Sequence, residues 1–330
     1  MRLPSSLQSA IEEDVTRIGP GVLTRAATEL SERYRLQRPA SNRFPAPFMT
    51  TDAHRSAYAA IRMPATFAAA RAVFAEVSER SPGQRFSSLL DLGAGTGAAS
   101  WAALEVFDEI EQITLIEQDA GLIELGQRLT RDCPNEALRT AEWLRRDLTT
   151  AASFEERDLV AISYSLGEIE SQRARGILKA AWRAARQALV VIEPGTTKGF
   201  QLICAIREEL IAEGGRLIAP CPHQRACPLA SGGDSGGDWC HFSARFDRTS
   251  FHRRVKGAEL GYEDEKYSYL AVAKYPAQPA AARVIRRPEK HPGFIRLRLC
   301  AEDALTNLTV TRKNKEDWRR ARKADWGDSW

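Results

Sequence analysis

Apolar residues recur at helical spacing over the first eighty residues and in strand-length blocks after that. Two amphipathic segments, SLQSAIEEDVTRI and GVLTRAATELSERYR, fill residues 5–35 and are separated at Gly19-Pro20. A Pro/Ser/Asn-rich connection covers 36–53. A long helical pattern follows over 54–80, with Ile61, Phe67, Ala70, Val73, Phe74 and Val77 on it. Ser81-Pro82-Gly83 ends it. From residue 86 the period changes. FSSLLDLGAG reads as a buried strand entering a glycine turn, and ITLIEQD as a second strand. A short third lies in AEWLRRDL, a fourth in DLVAISYSL and a fifth in ALVVIEPG. Helical patterns GAASWAALEVF, AGLIELGQRLTR, RARGILKAAWRAARQ and KGFQLICAIREELIAEG alternate with them. That order predicts a mostly parallel sheet with helices on both faces. Residues 219–240, APCPHQRACPLASGGDSGGDWC, break the rhythm and read as an ordered insertion or loop. HFSARF and KYSYLAVAKY then predict the last two strands. FIRLRLCAEDALTNLTVTR predicts a hairpin around Glu302-Asp303, and 315–330 a basic helix with a Trp-containing tail.

Composition narrows the class. The chain has 330 residues, 43% hydrophobic and 8% aromatic, an ordinary globular make-up. It excludes disordered, collagenous and disulfide-miniprotein classes. No apolar run approaches the roughly 18–20 residues that cross a bilayer, so no membrane association is expected. Glu12, Glu13 and Asp14 argue against a secretory or transit segment at the start, and the expected compartment is the cytoplasm. The net charge of +4 conceals an asymmetry. Residues 1–240 hold 27 Lys/Arg and 31 Asp/Glu, whereas 241–330 hold 20 and 12. A basic C-terminal part suggests a polyanion such as nucleic acid, or simply a solvated surface.

The first candidate chemistry is the turn Asp91-Leu92-Gly93-Ala94-Gly95-Thr96-Gly97. Glycines there let the backbone turn sharply and approach a ligand. The spacing Gly93-x-Gly95-x-x-Ala98 fits a loose dinucleotide fingerprint. Asp91 is unlike the apolar strand end of that fingerprint; it resembles motif I of class I S-adenosylmethionine (SAM) methyltransferases. The resemblance implies that the loop (Asp91, Gly93, Gly95, Gly97) packs on the cofactor's amino-acid part. Glu117 would take the ribose hydroxyls, and Asp147 would lie near the adenine. No Asn/Asp-Pro-Pro-aromatic tetrad follows the fourth strand, where the sequence reads Ser163-Tyr164-Ser165-Leu166-Gly167-Glu168. Tyr164, Glu168 and Glu193 are candidates to line a substrate pocket, and no catalytic residue is assigned.

The second candidate is cysteine. Cys221, Cys227 and Cys240 form C-x5-C-x12-C, and Cys300 follows after 59 intervening residues. Cys221-Pro222 and Cys227-Pro228 suit a rigid ligand loop. Four thiolates can hold tetrahedral zinc or an iron–sulfur cluster, with His223 and His241 as substitutes. Cys133 and Cys204 fall in or beside helical patterns and read as small buried residues.

Taken together, these segments resemble the methyltransferase-like small-ribosomal-subunit assembly family of bacteria and mitochondria. The resemblance runs through YAAIRMPAT (58–66), DLGAGTGAASWAA, LIEQD, CPHQRACPL, DWCHFSARF, KGAELGYEDEKYSYLAVAK, RLRLC and ARKADWGD. It implies a class I methyltransferase-like (Rossmann-like) α/β domain over 81–276 carrying the Cys-rich insertion 219–241. A helical region over 1–80 would precede it, and a small basic, β-rich addition over 277–330 would follow. It also implies a structural [4Fe–4S] cluster on Cys221, Cys227, Cys240 and Cys300, and association of a free monomer with the small subunit and its rRNA. Arg312, Lys313, Arg319, Arg320, Arg322 and Lys323 are the leading phosphate contacts, with Arg283, Arg286, Arg287, Lys290, Arg296 and Arg298 beside them. Trp318 and Trp326 are read as packing into the body rather than stacking on bases. The rival readings are an active SAM-dependent rRNA methyltransferase and a nicotinamide-dependent oxidoreductase with a zinc site.

Overall fold

The computed structural model describes residues 1–36, 49–230, 237–256, 259–302 and 304–330. Much of the predicted 36–53 connection, part of the 219–241 insertion and Asp303 lie outside them. The N-terminal patterns fold as α1 (Ser5–Ile18), α2 (Pro20–Leu36) and α3 (Asp52–Arg80). Helix α1 buries Leu7, Ile11 and Val15, one stripe at four-residue spacing. Helix α3 starts where the Thr51 hydroxyl accepts the His54 N–H, 3.2 Å away. It buries Phe67, Ala70, Val73, Phe74 and Val77 against one face of the sheet, and Ile61 is half-buried.

The central sheet follows the predicted alternation. Its first half comprises β1 (Ser88–Leu92), α4 (Ala98–Leu104), β2 (Gln112–Glu117), α5 (Ala120–Thr130), α6 (Glu136–Arg139) and β3 (Glu142–Arg145). The second half comprises β4 (Arg157–Ser163), α7 (Ser171–Ala184), β5 (Ala185–Pro194), α8 (Thr197–Ala212), β6 (Arg216–Ala219), β7 (Phe242–Asp247), α9 (Ser250–Lys256) and β8 (Tyr262–Ala273). The strand order is β3-β2-β1-β4-β5-β8-β6, with β7 also paired to β8. Strands β1 to β5 are parallel, and β8 is antiparallel to β5, β6 and β7. The order reverses direction between β1 and β4, so their C-terminal ends open the crevice where such sheets take ligands. This is the class I SAM-methyltransferase fold.

Several short elements, α6 among them, differ from the expected string. Strand β6 is four residues long and is held by β8, and α9 is an unpredicted short helix. Neither carries enough periodicity to be read locally.

Beyond β8, the chain forms a second sheet from β9 (Ala282–Val284), β10 (Glu289–Lys290), β11 (Phe294–Ala301) and β12 (Leu305–Thr311). Strands β11 and β12 are the predicted hairpin, antiparallel from Phe294↔Thr311 to Cys300↔Leu305. Helix α10 (Lys315–Lys323) packs on it through Ala321 and Trp318. The two sheets meet at Arg283, which is 1% exposed. Its Nε donates to Pro220 O (3.1 Å), its Nη1 to Gly327 O (2.7 Å), and its Nη2 pairs with Glu76 of α3 at 2.7 Å.

Leaving one member of such a buried pair alone is costly. Arg283→Met is expected to lower stability by about 3 kcal/mol, read from urea unfolding midpoints. Adding Glu76→Gln should recover part of that loss; a single variant as stable as the parent would refute the role.

Candidate functional site

The glycine turn joins β1 to α4. Gly93, Gly95 and Gly97 all have positive φ, +71°, +57° and +86°. A side chain at Gly93 would run into the Ser165 hydroxyl, whereas the space beside Gly95 is open. The loop is therefore packed on one side and accessible on the other. Glu117 ends β2 beside it. Its Oε2 accepts the Gly95 N–H at 3.0 Å, and its Oε1 accepts those of Gln118 (2.8 Å) and Asp119 (2.9 Å). Burial raises its pKa against the pull of those three N–H groups. Asp91 lies fully buried beneath the loop. Its Oδ2 accepts the Ser100 N–H and hydroxyl, tying β1 to α4, and burial pushes its carboxyl up to about 6. Asp147 follows β3, half-buried, and caps the turn Leu148–Thr150 through the Thr149 N–H at 2.8 Å. Leu148 reaches the wall of Gly93.

Helix α3 overhangs this crevice, which the sequence pattern did not foretell. Arg55 grips Asp119 with two hydrogen bonds (2.8 and 3.1 Å), and Asp119 in turn caps α5. Arg62 grips Glu265 of β8 in the same way (3.1 and 2.9 Å), and the Thr96 hydroxyl meets Met63 Sδ at 3.4 Å. The signal was present in the YAAIRMPAT segment, but its partners are 33 to 203 residues away in sequence. On the opposite rim Tyr164 has φ +56°, and Glu168 is exposed. Glu193 is 1% exposed and accepts the N–H groups of Leu166 (3.1 Å) and Gly167 (3.2 Å). It braces the rim turn, and burial pushes its carboxyl up to about 7.

Cys221, Cys227, Cys240 and Cys300 line one apolar cavity between α8, residues 220–229 and β11. Cys204 of α8 lines it too, so it is not the inert core residue expected. A hydrogen bond from Cys204 lowers the Cys227 thiol, while burial raises those of Cys221, Cys240 and Cys300, the last to about 12. His223 Nε2 lies 3.9 Å from Cys300 Sγ. Among the described residues, no group of three or more His, Cys, Asp or Glu side chains is arranged to hold a single metal ion.

The basic residues divide in two. Arg283 is internal, and Arg286 is tied to Asp238 and to Trp239 O, so neither is free to meet a phosphate, contrary to expectation. Arg312, Lys313, Arg319, Arg320, Arg322 and Lys323 are all exposed around α10. Trp318 packs on the second sheet and Trp326 edge-on to His241, as expected from the sequence.

Residues 52–330 match the family model described as mitochondrial small ribosomal subunit Rsm22. The chain belongs to the Rsm22 family. The human mitochondrial ribosome assembly protein METTL17 is 27% identical over 290 residues, which are 82% of this chain and 61% of that protein. The mitochondrial Rsm22-cox11 tandem protein 2 of Schizosaccharomyces pombe is 23% identical, covering 73% of this chain and 38% of that one. The chain thus spans less than two thirds of the length of these curated relatives. Similar solved structures include magnesium protoporphyrin IX methyltransferase of Synechocystis PCC 6803 with bound SAM (10% identity, TM-score 0.42, 74% of this chain and 91% of that one). A glycopeptide N-methyltransferase is also similar (14%, 0.38, 62% and 89%). The cytoplasmic expectation is corrected by the family and relative names, which are mitochondrial and point to the mitochondrion instead. The acidic residues near the start were a local signal, and membership in the Rsm22 family overrides it.

Glu193 supplies a pH test. Its folded pKa lies above the ordinary value of 4.5, so its contribution to stability is greatest at low pH and is lost as pH rises from about 4.5 to about 7. Glu193→Gln keeps an acceptor for Leu166 and Gly167 without the charge. It is expected to be the more stable protein at pH 8, by up to ~3 kcal/mol, with the difference shrinking towards pH 4.5. Parallel stability curves for the two proteins would refute this.

Proposed function

We propose that this chain acts in assembly of the small ribosomal subunit, as an rRNA-binding protein on a SAM-methyltransferase fold stapled by a structural [4Fe–4S] cluster. The observation that carries the reading is the convergence of Cys221, Cys227, Cys240 and Cys300 on one cavity, at the junction between the two sheets. The donor set is thiol alone, which suits iron–sulfur chemistry. When bound, such a cluster supplies four Fe–S bonds that cross-link the 221–240 segment to β11. With cysteine on every iron, the role is structural rather than catalytic. Zinc on the same four thiols is the alternative.

The names of the relatives support the ribosomal part: METTL17 is named as a ribosome assembly protein, and the family as one of the small ribosomal subunit. The exposed cations around α10 suit phosphate contacts of low sequence preference. The glycine turn and Glu117 suit SAM: the space beside Gly95 is open, and Glu117 Oε2, which accepts one N–H, keeps a lone pair for a ribose hydroxyl. Asp91 would act behind the loop, holding it to α4, and Asp147 beside it. Glu193 Oε1 is committed to backbone N–H groups, and no rim residue is assigned a catalytic role.

Anaerobically purified protein should be brown and contain about four iron and four sulfide per chain. Cys300→Ser should lose most of both. Colourless protein with stoichiometric zinc would overturn the cluster.

For the RNA surface, reversing Arg319, Arg320 and Arg322 to Glu should weaken binding to small-subunit rRNA at least tenfold. It should also reduce the salt slope by about 0.9 for each phosphate no longer neutralised. Unchanged affinity and slope would mean that the α10 face is only solvated.

A further inference from the structure

Among the described residues, three arginines are buried: Arg157, Arg207 and Arg283. Two of them have a carboxylate, Glu155 at 2.8 Å from Arg157 and Glu76 at 2.7 Å from Arg283. Arg207, on α8 and 3% exposed, has none among the described residues. Its Nη2 donates to His223 O (2.7 Å) and Arg225 O (2.6 Å), the carbonyls between Cys221 and Cys227. Its Nε is buried with no partner. A guanidinium this deep stays charged, and its burial costs several kcal/mol unless an anion compensates it. The sulfurs that line the same cavity, Cys221, Cys227 and Cys300 among them, would supply that anion as thiolates on a cluster.

We propose that Arg207 is the counter-charge and the loop-positioning residue of the four-cysteine cluster. The inference rests on the cluster reading above. Four thiolates on a four-iron core carry net negative charge in both oxidation states, and more of it when reduced. A fixed cation in the cavity wall therefore stabilises the bound cluster and favours its reduced form, which raises the reduction potential. The carbonyl contacts do a second job. They hold the chain between the first two cysteines at one spacing, so that both thiols face the cavity. This also accounts for the Nε that no protein group satisfies.

The test compares anaerobically purified holoprotein of the wild type, Arg207→Lys and Arg207→Gln. Iron and sulfide are measured, as are the rate of cluster loss to a chelator and the midpoint potential from a spectroscopically monitored redox titration. Arg207→Gln is expected to shift the midpoint to more negative potential and to lose its cluster about tenfold faster, within the roughly 10–100-fold range of outer-shell substitutions. Arg207→Lys keeps the charge and loses the planar fork. It should hold the wild-type midpoint but shed the cluster faster. Should Arg207→Gln fail to fold, Arg207→Lys decides the matter, since unchanged lability would remove the positioning role. A wild-type cluster with both variants indistinguishable from it overturns the proposal and leaves the cluster reading standing. Wild-type protein without iron and sulfide overturns both.

Discussion

Arg283 joins three parts of the chain through one planar group. The guanidinium reaches Glu76 on α3, the carbonyl of Pro220 before the cysteine segment and the carbonyl of Gly327 near the C-terminus. Its own strand β9 pairs with β11, placing Arg283 directly opposite Cys300. The last residues run back along β9, with Trp330 and Asp328 carbonyls accepting the N–H groups of Ala282 and Val284. Such a pair adds little net stability compared with two apolar residues of similar size in its place. What it adds is register. Any other docking of the second sheet leaves a buried charge without its partners.

The crevice at the ends of β1 and β4 is built on a comparable use of carboxylates. Asp91, Glu117, Asp119 and Glu193 all accept backbone N–H groups, at the start of α4, around the glycine turn, at the start of α5 and at the rim turn. Each satisfies donors that a loop or helix end would otherwise leave bare. Two of these acids are held well above their ordinary pKa by burial, so the frame of the site is itself sensitive to protonation. Helix α3 then clasps the frame from above through Arg55 and Arg62, which makes the N-terminal helices part of the site's wall.

The parallel sheet was legible because strands β1 to β5 and the helices between them carry their periodicity locally. The glycine turn and the four cysteines were legible for a related reason: their residue types have few other uses at those spacings. What stayed hidden depends on distant partners. Strand β6 exists because β8 holds it, and four residues carry no period of their own. Cys204 looked like any helical cysteine until α8 turned it toward Cys227. Arg207 and Arg283 look like surface charge in a sequence, because nothing local marks a guanidinium as internal. A count of basic residues therefore overstates the face available to a polyanion.

That last point changes the meaning of the C-terminal charge. The excess over 241–330 is partly held inside the molecule, where Arg283 and Arg286 lock the second sheet to the first. Of the cations left outward, Arg287, Lys290 and Arg296 are exposed on the second sheet and its approach, while one run lies on α10 and the turn before it. There Arg312 lies 5.7 Å from the Trp318 ring and Arg320 4.4 Å from that of Trp330, contacts that orient the side chains without neutralising them. Helix α10 is packed on the sheet that contains Cys300, and that sheet is docked beside the cysteine cavity. The direction in which the basic face points is thus set by the same junction that brings the four thiols together. Loosening that junction would turn the basic face away before it removed any of the charges on it.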